Sequence, residues 1–533
     1  MFRCVRLIIL HSAEFSTRVE NILSCSIILF MNILLTTLNS KYIHSNLAIR
    51  YLAAFCGDQF PVIGLREFTI NAQLGQVAGE IYRTGAKIIG FSCYIWNIEA
   101  TMKLVEALKK VDPSLVIILG GPEVSFEIEE LMERNPWVDY VISGEGEKPF
   151  KELLLYLRNG LGERPDIPGV SCRYQGDIIN NPQGVVVDQL DEIPSPYTGS
   201  LAELENKIVY YESSRGCPFN CQYCLSSTTQ GLRFFSLDRV KEDLARLLAA
   251  RVKQVKLVDR TFNCHRERTL AILQFIKEHD NGYTNFHLEV AADLFDEETI
   301  DFLGTLRLGL VQLEIGVQST NPDTLAIIGR KMNLDKVRES VKAIRGKGNI
   351  HLHLDLIAGL PGESYSSAAR SFNDVYHMKP DQLQLGFLKL LKGSGLRARA
   401  GELGLVYCNY PPYEILSTPQ LGYNEIQRLK AIEEMMEIYH GTHRFDHIVP
   451  LLAERIFPNP FSFYESLAGF WEANGWHLVG QGKARLYRNL WEFMVSVVPE
   501  QYMEGCRAAL AEDYLRDEGS GKVPEWLADN KKS

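Results

Sequence analysis

Concentrated positive charge is missing from this chain of 533 residues. Its 56 Lys and Arg are outnumbered by 66 Asp and Glu, the net charge is −10, and no dense basic run occurs. Binding of DNA or RNA across a broad electrostatic surface requires such basic clusters. The composition therefore argues against a nucleic-acid partner of that kind, although it leaves room for a small patch that reads RNA.

Long apolar runs are also missing. The longest spans residues 25–38 and contains Ser26 and Asn32, so it is shorter than the ~20 residues that cross a bilayer as a helix. The 46% hydrophobic and 23% charged residues are typical of globular proteins. We therefore expect a soluble protein of roughly three or four domains without a membrane partner.

A disulfide framework is absent as well. The chain has eleven cysteines, an odd number, and only three of them lie close together. Disulfide frameworks belong to small secreted proteins, and no signal peptide is visible at the N-terminus. These features favour the reducing cytoplasm.

The first thirty residues have neither a clean hydrophobic period nor a cleavage site. At Met31 the sequence changes to Met-Asn-Ile-Leu-Leu, which is typical of a buried first strand. We expect Met31 to be the natural start and residues 1–30 to be a non-native or disordered extension. The alternative is a genuine N-terminal extension.

Residues 31–164 alternate between short apolar runs and amphipathic helical patterns. Strands are predicted at residues 33–36, 62–68, 88–92, 116–119 and 140–143, and helices at 47–55, 77–83, 98–110 and 128–134. Continuous apolar strands with helical crossovers indicate a parallel sheet covered on both faces. This predicts an N-terminal Rossmann-like domain, whose ligands bind beyond the carboxyl ends of the strands.

The ends of these strands carry small, polar or glycine-rich turns. Asn39 and Ser40 follow the first strand, and Ser92 and Tyr94 follow the third; Gly120, Gly121 and Glu123 follow the fourth, and Gly144, Glu145, Gly146 and Glu147 follow the fifth. Four such turns favour a long, nucleotide-like ligand, although ordinary turns could explain each one alone. Neither G-x-G-x-x-G after the first strand nor a Gly-Lys-Ser/Thr loop is present.

Three further segments follow. Residues 165–205 are rich in Pro and Gly and predict a linker with a small hairpin, formed around residues 170–173 and 185–187. Residues 206–421 contain a second series of six βα units, with strands at 208–212, 254–258, 286–290, 310–317, 351–357 and 382–388. Six units predict a partial, open barrel with functional residues at the strand ends. Residues 422–533 predict a mainly helical domain whose aromatic residues form a core.

The sharpest motif follows the first barrel strand. It runs Cys217-Pro-Phe-Asn-Cys221-Gln-Tyr-Cys224, and three thiolates within eight residues can surround one metal centre. Structural zinc is an alternative, but it takes four ligands, and no second CxxC or HxxxH pair occurs. Three cysteines without a fourth ligand suit a [4Fe–4S] cluster with one open iron.

The motif, with Tyr223 as its aromatic residue, resembles the CxxxCxΦC signature of the radical S-adenosylmethionine (SAM) superfamily. Two further segments resemble motifs of that family, Leu-Glu-Ile-Gly-Val-Gln-Ser at 313–319 and Asp-Leu-Ile-Ala-Gly-Leu-Pro-Gly-Glu at 355–363. The resemblance implies a [4Fe–4S] cluster on the three cysteines and SAM contacts from Tyr223, Asp259, Glu314, Gln318, Ile357 and Gly359. The family's Gly-Gly-Glu is replaced around Asp259, for which a turn or capping role is the alternative. A paired, buried carboxylate is the alternative for Glu314.

A Rossmann-like domain ahead of such a barrel resembles the cobalamin-binding class of the same superfamily. The resemblance implies cobalamin contacts from Asn39, Ser40, Ser92, Tyr94, Gly120, Gly121, Glu123, Gly144, Glu145, Gly146 and Glu147. The Asp-x-His-x-x-Gly signature of a cobalt-binding histidine is absent, and the surroundings of His44 do not match it. We therefore expect no histidine ligand to cobalt. The C-terminal part resembles an uncharacterised domain attached to such proteins.

These resemblances predict a cobalamin-dependent radical SAM enzyme, most simply a methyltransferase that acts on an unactivated centre. An external electron donor of the flavodoxin or ferredoxin type and a small-molecule or peptide substrate are implied. The alternatives are a cobalamin-dependent rearrangement or cyclisation enzyme, and a cobalamin-independent enzyme such as a tRNA methylthiotransferase. A third alternative is an iron–sulfur and cobalamin protein that acts as a sensor or carrier.

Overall fold

The computed structural model describes residues 32–159, 165–181, 186–228, 231–519 and 521–528. The predictions for residues 1–30, for Met31 and for Val185 lie outside these ranges. The chain divides into two compact units. The first contains the described residues up to Tyr211 together with Arg233–Lys256, and the second contains Glu212–Leu232 together with the residues from Leu257 onward.

A seven-stranded sheet forms the N-terminal part. Its strands are β1 Ile33–Asn39, β2 Ile63–Thr69, β3 Ile88–Ser92, β4 Val116–Gly120, β5 Tyr140–Ile142, β6 Val170–Tyr174 and β7 Asp177–Ile179, in the order β2-β1-β3-β4-β5-β6-β7. The first five are parallel. All residues of β1, β3 and β5 are buried, as expected for a sheet covered on both faces. The predicted Rossmann-like architecture is confirmed.

Five helices cover this sheet: α1 Leu47–Cys56, α2 Leu74–Arg83, α3 Ile98–Val111, α4 Ile128–Arg134 and α5 Glu147–Asn159. Each buries an apolar face, as α3 does with Leu104, Val105 and Leu108. Two buried clusters of apolar side chains form the core of this part. The core fixes the strand ends, and with them the loops at the carboxyl edge.

A hairpin follows this domain. Its strand β6 contains the predicted residues 170–173 and pairs with β7, and it also pairs antiparallel with β5. The described residues of the second predicted segment, Val186 and Val187, lie outside any strand. The two-residue turn Gln175-Gly176 has positive φ at both positions, 51° and 96°, which is the geometry of a tight hairpin. The hairpin therefore extends the N-terminal sheet.

A six-stranded sheet forms the partial barrel, in the order β15-β14-β13-β12-β11-β8. The strands are β8 Ile208–Tyr211, β11 Gln254–Leu257, β12 Asn285–Val290, β13 Val311–Gln318, β14 His351–Ala358 and β15 Gln382–Phe387. Strands β12 to β15 pair in parallel. Along β13, buried apolar residues alternate with half-buried polar residues and Gly316, so one face is covered and the other lines the barrel.

The helices of the barrel are α6 Leu237–Ala249, α7 Arg266–Glu278, α8 Glu297–Leu303, α9 Pro322–Ile327, α10 Leu334–Lys347, α11 Tyr365–Tyr376 and α12 Gly395–Ala398. Short strands complete this part: β9 Ser214–Arg215 pairs with β10 Arg233–Phe234, and β16 Val406–Tyr407 pairs with β17 Ile415–Ser417.

The C-terminal part is helical, as predicted, with α13 Tyr423–Tyr439, α14 Ile448–Leu451, α15 Pro460–Ala473, α16 Lys483–Val497 and α17 Glu500–Glu518. Its aromatic residues pack in the interior, including Tyr439, Tyr464, Trp471 and Tyr487. No helix within the described ranges has the length and apolar character that crossing a membrane requires.

Candidate cofactor-binding sites

The first candidate site lies at the carboxyl ends of β1, β3, β4 and β5, which we call the shelf. Strand order reverses there, because β2 lies on one side of β1 and β3 on the other. Ligands of open α/β sheets bind at such a switch point. The residues predicted to contact cobalamin lie in the last residues of these strands or in the loops that follow them, except Glu147, which is the first residue of α5.

Two polar side chains of the shelf form hydrogen bonds with other residues of the first unit. The Asn39 amide donates to the carboxylate of Glu67 at 2.7 Å and to the carbonyl of His44 at 3.0 Å. Glu145 accepts hydrogen bonds from the Arg233 guanidinium and from the backbone of Val187. These two residues hold the loops in place. Whether they also contact a ligand stays a prediction.

Ser92 differs from them. Its side chain is 94% buried at the end of β3, and its Oγ has no hydrogen-bond partner among the described residues. A buried hydroxyl without a partner is costly; the contact of Ser92 with cobalamin stays a prediction.

The glycines of the shelf serve two purposes. Gly121 has a φ of 111°, and a Cβ there would lie 2.5 Å from the carbonyl oxygen of Cys93, so this glycine is required by the packing of the turn. At Gly120 the nearest atom would be 3.9 Å away, and at Gly144 no atom lies within 4 Å. A Cβ at Gly144 would therefore meet open space, whereas one at Gly120 would make an ordinary contact with the carbonyl of Ile142.

His44 is engaged inside the first unit. Its Nδ1 lies 2.8 Å from the hydroxyl of Tyr210, and burial lowers the pKa of its imidazole. That His44 is not a cobalt ligand stays a prediction.

The second candidate site is the cysteine loop, residues 217–224, which follows β9. Cys217, Cys221 and Cys224 form no disulfide, and Cys221 is buried while the others are half-buried. Gly216 enters the loop with a φ of 96°, and a side chain there would collide with the carbonyl of Gly231. The backbone of Cys224 donates to the carbonyl of Cys221 at 3.1 Å. The backbone of the loop is therefore tightly turned.

Within the described ranges, no three His, Cys, Asp or Glu side chains converge as the ligands of a single ion do. A cubane cluster does not require that convergence, because each cysteine binds a different iron. Three cysteines without a disulfide on one tight loop fit such a cluster.

Arg330, which the sequence analysis missed, joins the cysteine loop to β13. Its buried guanidinium lies 3.7 Å from Cys221 Sγ, donates to the Tyr223 hydroxyl at 3.1 Å and also contacts the carbonyl of Gly316. The predicted SAM contact Tyr223 thus has its hydroxyl bound to Arg330. A cation placed beside a cysteine thiolate stabilises its negative charge.

Asp259 is fully buried and holds the segment that leads into the loop. Its carboxylate accepts from the backbone of Ser213 at 2.8 Å, and from the hydroxyls of Ser213 and Ser214 at 2.7 and 2.6 Å. Burial raises the pKa of Asp259, and these hydrogen bonds oppose that effect. Its role as a SAM contact stays a prediction, and its observed contacts are structural.

Strand β13 carries two other predicted SAM contacts, Glu314 within the strand and Gln318 at its end. Glu314 Oε2 lies 2.6 Å from His287 Nε2, so its carboxylate is paired. Gln318 lies at a register shift between β13 and β14, has a φ of 71°, and leaves its Oε1 without a partner among the described residues. A left-handed, non-glycine residue is characteristic of functional sites.

Ile357 and Gly359 lie at the end of β14. Ile357 is half-buried, and Gly359 has a φ of 82°, where a Cβ would lie 2.6 Å from the side chain of Ile415. This glycine is therefore required by internal packing, and a bulky substitution would first displace Ile415.

Glu363 ties the turns after β13 and β14 together. Its side chain is 99% buried, and its Oε1 accepts from Ser319 at 2.6 Å and from Ser371 at 3.1 Å. Burial raises the pKa of this carboxyl to about 7. Ser319 directly follows Gln318, so the contact fixes a predicted cofactor-binding turn.

Comparison with protein families places each candidate site within a matched segment. Residues 33–154, which include the shelf, match the B12 binding domain, and residues 211–375, which include the cysteine loop, match the radical SAM superfamily. The chain thus contains a B12 binding domain and a radical SAM domain. Residues 401–533 match a family described only as a protein of unknown function, DUF4080.

The cobalamin-dependent radical SAM methyltransferase TokK of Streptomyces tokunonensis is 30% identical over 309 residues, which cover 54% of this chain and 44% of TokK. An uncharacterised methyltransferase of Pyrococcus horikoshii is 27% identical, over 60% of this chain and 70% of its own length. The chain thus spans less than half of TokK. The solved structure of the radical enzyme OxsB with aqua-cobalamin superimposes with a TM-score of 0.63 at 15% identity, over 94% of this chain and 82% of OxsB; this likeness concerns the fold.

Proposed function

We propose that this chain is a cobalamin-dependent radical SAM methyltransferase. The observation that carries the proposal is the combination, in one chain, of a tight three-cysteine loop after the first barrel strand with a B12 binding domain. The similarity to two methyltransferases favours methyl transfer.

The proposed cofactors are a [4Fe–4S] cluster on Cys217, Cys221 and Cys224, SAM, and cobalamin. When bound, the cluster and SAM supply a 5′-deoxyadenosyl radical, and cobalamin supplies a transferable methyl group. The protein's own contribution is to hold these groups. Arg330 contacts Cys221 within the cysteine loop, and Asp259 holds the segment that leads into it. Glu363 fixes the turn that carries Gln318.

The shelf is the proposed cobalamin site, with open space beside Gly144, no steric clash for a Cβ at Gly120, and a buried, unpartnered hydroxyl at Ser92 among the described residues. An external one-electron donor of the flavodoxin or ferredoxin type and a small-molecule or peptide substrate complete the proposal. We place the reaction in the cytoplasm, because radical and thiolate chemistry requires reducing conditions.

The experiment needs no substrate. Anaerobically reconstituted protein is reduced and incubated with hydroxocobalamin and SAM that carries a deuterated methyl group. A methyltransferase should form deuteromethyl-cobalamin and also release 5′-deoxyadenosine, both detected by mass spectrometry. The control is the variant in which all three cysteines are alanine, which should release no 5′-deoxyadenosine.

The possible outcomes separate the candidate functions. Release of 5′-deoxyadenosine without a labelled cobalamin would favour a rearrangement or cyclisation. Absence of 5′-deoxyadenosine from a protein that carries a complete cluster would contradict a radical SAM enzyme of any kind.

A further inference from the structure

The turn that follows β14 is held by two side chains of the C-terminal part. Gly359, a predicted SAM contact, has a φ of 82°, and the side chain of Ile415 occupies the space where its Cβ would lie. Ile415 belongs to β17 and is fully buried. Further along the turn, the backbone of Gly362 donates to Oε1 of Gln420 at 3.3 Å. The turn is therefore contacted at both of its glycines.

Backbone hydrogen bonds connect the same two segments. Leu388, which directly follows β15, donates to the carbonyl of Ala358 at 3.0 Å and accepts from the backbone of Ile415 at 2.9 Å. Leu390 donates in turn to the carbonyl of Tyr413 at 2.9 Å. These bonds do not involve the side chain of Ile415. A substitution of that side chain should therefore leave the pairing of the segment intact.

The segment that leads to β17 also contacts the cysteine loop. The backbone of Leu396 in α12 donates to the carbonyl of Gln222 at 2.8 Å. Gly395 lies so close to the Gln222 side chain that a Cβ would collide with its Oε1. The Arg397 guanidinium lies 4.7 Å from the ring centroid of Tyr413. This segment therefore connects the cysteine loop with the turn after β14.

The contacts at the turn cross from one matched family to another. The two glycines lie within the radical SAM match, residues 211–375. Ile415 and Gln420 lie within the match to the family of unknown function, residues 401–533. A part of the chain with no assigned role thus supplies two side chains that contact a predicted SAM-binding turn.

We propose that the C-terminal part positions the turn after β14 for SAM, with Ile415 and Gln420 as the positioning residues. The proposal rests on the proposed function. A glycine backbone has many accessible conformations, so a turn with two glycines keeps one conformation only where its neighbours restrain it. Ile415 fills the space beside Gly359, and Gln420 holds the N–H of Gly362. A site that is in place before binding loses less entropy when its ligand binds.

The first test measures SAM binding to the reconstituted full chain by equilibrium dialysis. Ile415→Ala should weaken binding about tenfold, and Ile415→Val, which keeps most of the side chain, about threefold or less. The matched control is Ile448→Ala. Ile448 is equally buried in the C-terminal part, but its backbone donates to Asp513 of α17 at 2.9 Å. This control should lose thermal stability as Ile415→Ala does and bind SAM as the wild type does.

Gln420 provides a second test that does not disturb the core. Its side chain is exposed, so Gln420→Ala should fold with unchanged thermal stability. We expect this variant to bind SAM about threefold more weakly, because the N–H of Gly362 loses its acceptor. Gln420→Glu, which keeps an accepting oxygen, should restore the affinity.

Release of 5′-deoxyadenosine separates positioning from general packing. In Ile415→Ala, the SAM concentration that gives half-maximal release should rise about tenfold, while the rate at saturating SAM stays within about twofold of the wild type. Wild-type SAM affinity in both Ile415→Ala and Gln420→Ala, or equal weakening in Ile448→Ala, would overturn the proposal and leave the radical SAM function standing. Failure of the wild type with a complete cluster to bind SAM would overturn the proposed function itself.

Discussion

At the scale of single residues, two buried carboxyl groups hold together segments of the second unit. Asp259 and Glu363 are both inaccessible to solvent and both accept hydrogen bonds from serine side chains. Each joins two segments that are distant in sequence. Such contacts depend on which strands become neighbours, so the sequence could identify Asp259 as unusual without identifying Ser213 and Ser214 as its partners.

Asp259→Ala should lower the free energy of unfolding by about 2–3 kcal/mol, because three donors lose a charged acceptor inside the protein. We expect the variant to retain less iron after reconstitution, since the segment before Cys217 is no longer held. Denaturant unfolding and iron analysis are the measurements. Ser214→Ala should have a smaller effect that is not additive with Asp259→Ala. Full iron content in Asp259→Ala would show that the loop does not depend on this carboxylate.

The buried carboxyl group of Glu363 should make the stability of the folded protein depend on pH. Burial raises its pKa from 4.5 to about 7, so the folded protein binds this proton more tightly than the unfolded chain does. Stability from this group is therefore greatest below pH ~4.5, falls as pH rises to about 7, and is constant above that. The loss is about 3 kcal/mol at most.

Glu363→Gln keeps the size and the accepting oxygen but cannot ionise. We therefore expect the variant to be more stable than the wild type at pH 8 and to match it near pH 5, measured by thermal unfolding. Parallel stability curves for the two proteins across this range would refute the prediction.

At the scale of secondary-structure elements, the sequence predicted most boundaries closely. The predictions for β3 and α4 coincide with Ile88–Ser92 and Ile128–Arg134, because buried strands and amphipathic helices have clear hydrophobic periods. Strand β7 was missed, because its three residues are too short for a period to show. The turn Gln175-Gly176 was the available signal.

Arg330 was missed for a related reason. It follows the short helix α9, 106 positions beyond Cys224 in the chain numbering, and only the fold brings it to Cys221. In the sequence, a single arginine in a charged turn gives no indication that it contacts the cysteine loop. The position of the cluster loop was predictable from the cysteines, whereas its supporting contact was not.

Arg330→Met should make the cluster harder to reduce, because a buried positive charge beside Cys221 favours the more negative, reduced cluster. The expected result is a more negative midpoint potential with the iron content largely kept. Redox titration monitored by electron paramagnetic resonance is the measurement. Arg330→Lys, which keeps the charge, should lie closer to the wild type. A potential equal to that of the wild type in Arg330→Met would mean that Arg330 acts only as a structural tie.

At the scale of the whole molecule, the two candidate sites draw on different units. The shelf residues belong to the first unit, and the cysteine loop with β13 and β14 belongs to the second. Because the predicted ligand contacts do not overlap, loss of one cofactor should leave the binding of the other largely unchanged.

Two variants test this independence. The triple Cys217, Cys221 and Cys224→Ala variant should lose its iron and still bind hydroxocobalamin with an affinity within about twofold of the wild type. Gly120→Leu should do the reverse, because its Cβ would make only an ordinary contact with the carbonyl of Ile142, at 3.9 Å, and the leucine adds bulk at the shelf. Gly121→Leu is less suitable, since its Cβ would meet Cys93 inside the turn.

Thermal unfolding gives a second measure of the same independence. Hydroxocobalamin at about 100 times its dissociation constant should stabilise the unit that binds it by about 2.7 kcal/mol. This gain should persist in the triple cysteine variant and disappear in Gly120→Leu, whose iron content should remain about four per chain. Loss of cobalamin stabilisation in the cysteine variant would instead show that the cluster loop and the shelf fold as one cooperative site.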